Sequence, residues 1–320
     1  MRDPNAPDER LAVVFLPDER VADPGADAAW FRQQLAAKGM QLHPKSFVAQ
    51  ALDALAEMAE GIAGRWRPSE GEDQGEKIRS ASGILFLIRA VRRALERRPD
   101  AFSSKWSLFR GADVNLTAYG AQMTQERDKM WELLVAALCE REFDGVRLAN
   151  HENPDIRCLL RGEEWGIECK LLYTKKVSAQ QDQLIEKAKQ LEEAGIKRGV
   201  IAVNITGLLD HRAYIDSFRF FPAPEGMSRA ELSADLGRQT QAVVDSISTP
   251  AFKRRLFRND RLTGPRTSTR MILFWSQTVA FSGGSLALAA NAHWMVYEQA
   301  TVMDRAFADR IHLAARISGT

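Results

Sequence analysis

Two acids and a lysine near the middle of the chain have the types and the spacing to do chemistry. They lie in the segment Asn153-Pro-Asp-Ile-Arg-Cys-Leu-Leu-Arg-Gly-Glu-Glu-Trp-Gly-Ile-Glu-Cys-Lys170. A four-residue loop over Arg161 to Glu164 would fold this segment into a hairpin, with Leu160 opposite Trp165, Arg157 opposite Glu168 and Asp155 opposite Lys170. Side chains alternate along each strand, and directly paired residues share a face. Asp155, Glu168 and Lys170 then emerge together, while Ile156, Cys158, Ile167, Cys169 and Leu171 form an apolar face fit for a core. A one-residue slip of register would scatter the charged group. Carboxylates gathered on one strand face are costly unless something bridges them, and a divalent cation would. Oxygen donors suit Mg²⁺ or Mn²⁺, which acidify a water and stabilise charge on a phosphodiester. Lys170 would orient that water or neutralise the developing charge.

At these residues the sequence resembles the PD-(D/E)XK phosphodiesterase superfamily, the restriction-endonuclease-like nucleases. Pro154-Asp155 matches the first half of the motif and Glu168-Cys169-Lys170 the second. Pro-Asp occurs four times, but among twelve lysines only Lys170 has an acid two positions before it. The resemblance covers residues 121 to 206. It implies a restriction-endonuclease-like α/β fold, with a mixed central sheet flanked by helices. It also implies that Asp155, Glu168 and the backbone carbonyl of Cys169 hold Mg²⁺, with Mn²⁺ able to substitute. Many members add an acid on the preceding helix. Glu132, the only charge inside Met130 to Cys139, is the candidate here, and Glu126 the runner-up. Members of some branches use a glutamine on the helix after the Glu-x-Lys strand, which points to Gln183.

The elements that must position these groups can be read independently. A helix is expected from about Ala121 to Arg141, stopped by Asp144-Gly145. Strands follow at Val146 to Ala149, Asp155 to Leu160 and Trp165 to Leu172, then a helix over Gln180 to Ala194 and a buried β-branched strand over Arg198 to Ile205. Further on come a helix over Arg229 to Ser248, strands over Arg270 to Phe281 and Leu286 to Tyr297 joined at Ser282-Gly-Gly-Ser285, and a last helix over Ala300 to Ala315. Helix, three strands, helix, strand is an α/β order with a mixed sheet. Residues 1–110 read as a separate, mainly helical region, for substrate positioning or dimerisation, and 111–320 as the nuclease-like domain. In the first region Val48 to Trp66 and Ile78 to Leu95 form apolar stripes around a polar break at Ser69 to Gly75. Arg89, Arg92, Arg93, Arg97 and Arg98 read as the solvated face of the second stripe.

Forty-four Lys and Arg stand against 42 Asp and Glu, a net charge of +2, so any basic surface for nucleic acid must be local. Lys175 and Lys176, just past the Glu-x-Lys strand, are the favoured phosphate contacts. The densest basic stretch, Lys253 to Arg266, includes Arg254, Arg255 and Arg258 with Phe252 and Phe257 interleaved. It reads either as a phosphate track with an aromatic platform or as a solvated loop. The three cysteines, odd in number and without Cys-x-x-Cys spacing, argue against a disulfide framework. With a polar N-terminus and no long apolar run, a cytoplasmic protein without a membrane partner is expected. The reading is a metal-dependent nuclease, acting on DNA rather than RNA, in repair or defence against foreign DNA. The alternative is a non-catalytic nucleic-acid-binding or scaffold protein that retains the fold.

Overall fold

The computed structural model describes residues 14–15, 19–20, 23–62, 74–102, 105–110, 125–149, 153–216, 227–257, 259–260, 264–265, 268–282, 285–296 and 300–315. Trp66, the polar break up to residue 73, Arg258, Arg261 and Arg266 lie outside them, as does the side chain of Glu126. Two short strands, β1 (Val14–Phe15) and β2 (Glu19–Arg20), precede helices α1 (Pro24–Ala37), α2 (Phe47–Ile62) and α3 (Gln74–Arg97) and a 3-10 turn at Trp106–Arg110. Then come α4 (Gln125–Glu142), β3 (Asp144–Leu148), β4 (Ile156–Leu160), β5 (Glu163–Leu171), α5 (Val177–Glu193) and β6 (Gly199–Asn204). This is the helix, meander, helix, strand order that the periodicities predict. After β6 the chain adds α6 (Arg212–Asp216), α7 (Arg229–Ile247), α8 (Pro250–Leu256), a minor pair β7 (Asn259–Asp260) and β8 (Gly264–Pro265), the long hairpin β9 (Thr269–Ser282) and β10 (Ser285–Val296), and α9 (Val302–Ala315).

The molecule is α/β, built on a mixed sheet flanked by helices. Six longer strands run in the order β10-β9-β6-β5-β4-β3, with β1 and β2 both on the outer edge of β10. The meander β3-β4-β5 is antiparallel, β5-β6 and β6-β9 are parallel, and β9-β10 is antiparallel. β6 is buried along its whole length, as a central parallel strand should be. α4 is buried on every side from Met130 to Glu140 because it is enclosed: Trp131 donates to the carbonyl of Ala202 in β6 at 2.9 Å, and α3 and α9 cover its other sides. α5 and α7 pack on the opposite face of the sheet. Among the described residues no helix is long and apolar enough to cross a membrane.

Two expectations need correction. The β4–β5 connection is a two-residue turn, Arg161-Gly162, with φ of 53° and 80°, so Leu160 pairs with Glu163 and Ile156 with Ile167. Glu163 and Glu164 extend β5 because Arg198 and Arg157 pair with them. Second, the arginine face at α3 is only partly solvated: Arg97 stays exposed, but Arg89, Arg92 and Arg98 turn to buried acids. Arg89 and Arg92 each bond Asp27 of α1 at 2.9 Å, Arg97 reaches Asp144 at 3.2 Å, and Arg98 pairs with Glu140 of α4. Asp27 and Glu140 are buried, and a buried carboxylate needs a cation.

Candidate active site

β5 outlasts its neighbour, and that builds the site. The β4 ladder ends at the pair Ile156–Ile167, whereas β5 runs on to Leu171. Beyond Ile167 the inward N–H groups on that edge have no strand to bond, and buried N–H groups must find partners. Carboxylates supply them. Asp155 Oδ2 accepts from the Cys169 amide at 2.8 Å, and Asp128 Oδ1 from the Leu171 amide at 3.4 Å. A residue's N–H and C=O leave a strand on the same side, so the Cys169 carbonyl lies on this edge too. Pro154 seats Asp155 here by lying over Gly166. A Cβ at Gly166 would come within 2.8 Å of both Pro154 Cγ and Ile196 Cγ1.

Three lysines interleave with four acids in this notch. Lys187, from α5, bonds Glu168 Oε2 at 2.7 Å and approaches Asp155 Oδ2 at 3.5 Å. Lys170 bonds Asp128 at 3.2 Å. Lys129 clamps both oxygens of Glu132, at 2.7 and 2.9 Å. Glu168 is wholly buried, and its Oε1 has no hydrogen-bond partner. Burial, then the charge of Asp155, pushes the Glu168 carboxyl up to about 7 against the pull of Lys187. Burial and Asp155 likewise raise Glu132 to about 7, despite Lys129. Burial opposes the charge on Lys187, but Asp155 and Glu168 outweigh it and lift its pKa above the usual lysine range. The acids thus crowd around Asp155, with Lys187 as their internal counter-ion.

The structure brings Asp155, Glu168, Lys170 and Glu132 to one place. Gln183 stands one turn before Lys187 on the same side of α5, with a buried Oε1 that has no partner. Lys175 and Lys176 are exposed at the end of β5, where α5 begins. Arg254 and Arg255 are not gathered with the acids. They lie on α8, where Arg255 pairs with Asp182 at 3.0 Å, and α8 packs on the flank of α5 that carries Gln181, away from Lys187. Phe252 and Phe257 are buried in the core beneath α8, so they form no aromatic platform. Cys139, Cys158 and Cys169 are buried free thiols, and burial raises Cys169 well above the usual thiol range.

Sequence reasoning missed Asp128, Lys129 and the part played by Lys187. The available signal was spacing: Asp128 is four residues before Glu132 and Lys187 four after Gln183, each on one helix face. Among the described residues no three His, Cys, Asp or Glu side chains form a ready metal-holding group; the Lys187 ammonium lies between the two principal acids. No protein-family model, curated protein or solved structure matches the chain.

Proposed function

We propose that the protein is a divalent-metal-dependent nuclease that hydrolyses phosphodiester bonds of nucleic acid, with DNA the substrate to test first. One observation carries the reading: Asp155 and the buried Glu168 converge on a single cation, and Glu168 keeps a buried oxygen with no partner. Orphaned buried acceptors call for a donor or an ion. Asp155, Glu168 and the Cys169 carbonyl fit a hard cation that keeps several waters of its own. Bound there, Mg²⁺ or Mn²⁺ would supply concentrated positive charge against the phosphodiester and make a neighbouring water more acidic. Lys170 and Lys187 are the two ammonium groups placed to steady the incoming water and the extra negative charge on phosphorus. Glu132, titrating near 7, can take or give a proton near neutrality. Water adds to phosphorus, one P–O ester bond breaks, and the leaving oxygen takes a proton. Lys175 and Lys176, exposed past the end of β5, fit contacts to the flanking phosphates.

The test is cleavage of single- and double-stranded DNA and of RNA with Mg²⁺ or Mn²⁺, with EDTA and with Asp155→Ala and Glu168→Ala as controls. Metal-independent cleavage, or full cleavage by Glu168→Ala, sinks the reading. One observation favours the non-catalytic alternative: Lys187 already neutralises the acid pair from within the chain. Calorimetric titration with Mn²⁺ separates the two, because a purely structural Lys187 leaves no cation uptake to measure.

A further inference from the structure

We propose that Lys105 is a positioning residue for Asp155, so that the N-terminal helical region takes part in the site. The proposal rests on the reading of Asp155 and Glu168 as the metal-holding pair. Lys105 immediately precedes the 3-10 turn at Trp106–Arg110, and that turn is fixed by its aromatic residues. Trp106 and Phe109 are buried against Phe31 of α1, with ring centroids 6.2 and 5.2 Å away. The Lys105 amide is tied as well, donating to the Phe102 carbonyl at 2.7 Å. Its base is therefore part of the N-terminal core.

Its other end reaches the meander. Lys105 Nζ donates to the carbonyl of Ala149 at 3.0 Å. Ala149 follows the last residue of β3, and its amide donates to the carbonyl of Asp155 at 2.9 Å. Asp155 in turn accepts the Cys169 amide on its side chain. Two hydrogen bonds in series thus run from the N-terminal core to the acid that the site is built around, and a third ties that acid to β5. The first is charge-assisted, the stronger kind. Ala149 and Asp155 close the β3–β4 connection just outside the last ladder pair, Leu148–Ile156, where strand pairing no longer holds the backbone. Burial, then the charge of Lys129, pulls the proton affinity of Lys105 down. The charge of Glu132 opposes that pull.

The full-length chain carries the test, in two measurements. The first is hydrogen exchange of the Ala149 and Cys169 amides by NMR, which needs no metal. The second is Mn²⁺ titration by calorimetry. Lys105→Met is expected to speed exchange at both amides about tenfold and weaken Mn²⁺ binding about tenfold, with Lys105→Arg restoring both to within about threefold. Arg98→Met cuts different bonds from the same helical region, to Glu140 of α4 and to the Val146 carbonyl of β3, three residues before Ala149; it should lower Tm and leave both readouts unchanged. Unchanged Ala149 and Cys169 exchange in Lys105→Met overturns the proposal, whatever the metal result. Absence of Mn²⁺ binding by the wild type overturns the metal reading instead, and the exchange data alone then decide the role of Lys105.

Discussion

Glu168 makes the sharpest residue-scale prediction, because function and stability should move in opposite directions. Its carboxyl titrates near 7 in the folded chain against 4.5 as a free side chain. Between those values the folded state binds more protons than the unfolded one, so this group's contribution to stability falls as pH rises through that window and levels off above 7. Glu168→Gln keeps the shape without the charge. At pH 8 and without metal it should therefore stabilise the protein, by on the order of 2 kcal/mol, and the gain should vanish towards pH 4.5. Denaturant melts at pH 5 and pH 8 check this, and an equal effect at both pH values contradicts it. The same substitution should cut cleavage at least ~100-fold, as should Asp155→Ala. Lys187→Met should remove the competing ammonium and tighten Mn²⁺ binding, yet still lower turnover; weaker Mn²⁺ binding would mean that Lys187 does not compete for the acids. At this scale the sequence exposed the acids through the spacing of Pro154-Asp155 and Glu168-Cys169-Lys170. The counter-ions were only half legible: spacing sets Lys187 on the helix face of Gln183, but no local pattern records how that face, or Lys129 on its own helix, is turned towards the sheet edge.

Between elements, the site depends on a register that local reasoning misjudged by two residues. Glu163 and Glu164 look like loop residues, and only distant Arg198 shows why Glu163 belongs to a strand. The slip was harmless to the faces, since side chains repeat every two residues: Ile156, Cys158 and Ile167 are buried in the core, and Asp155 and Glu168 lie on the other side. It changed the neighbours, however. With Ile156 opposite Ile167, Asp155 falls beside Glu168 rather than Lys170, which tightens the acid pair and frees Lys170 for Asp128. The close approach at Gly166 fixes this arrangement. Gly166→Ala would push a methyl against the Pro154 ring, which cannot rotate away, and against Ile196. Destabilisation of about 1–3 kcal/mol is expected, with Mn²⁺ affinity falling because Pro154 carries Asp155 with it. If Gly166→Ala melts earlier but binds Mn²⁺ as before, the Pro154 seat does not set the acid. The turn itself was misread for a simple reason: Arg161 takes a positive φ of 53°, a conformation in which a non-glycine residue is uncommon.

Over the whole molecule, the two regions that composition separates near residue 110 share one core. Phe86 and Ala90 of α3 face Leu134, Ala137 and Leu138 of α4 and Trp275 of β9 around a void of about 10 Å³, room for a single water. The buried cluster runs without a break from Phe31 and Leu52 through α4 to Trp165 and Trp294. The stripes on α2 and α3 were legible; their target was not, because periodicity shows that a face is buried without showing against what. Sequence alone allows a fragment beginning at Gly111 to keep the proposed metal site. The packing argues otherwise. Removing residues 1–110 would expose the buried Leu134 and Leu138 of α4, and would leave the buried Glu140 without Arg98. An exposed face of that kind drives aggregation, and a buried carboxylate stripped of its cation is costly. The 111–320 fragment is therefore expected to be insoluble, or to bind a hydrophobic dye and unfold without a cooperative transition. Supplying residues 1–110 as a separate chain should restore solubility and Mn²⁺ binding together, since α3 and Lys105 return with it. Cooperative melting and wild-type Mn²⁺ affinity in the isolated 111–320 fragment would show instead that the helical region is an independent unit and that the shared core contributes little to the site.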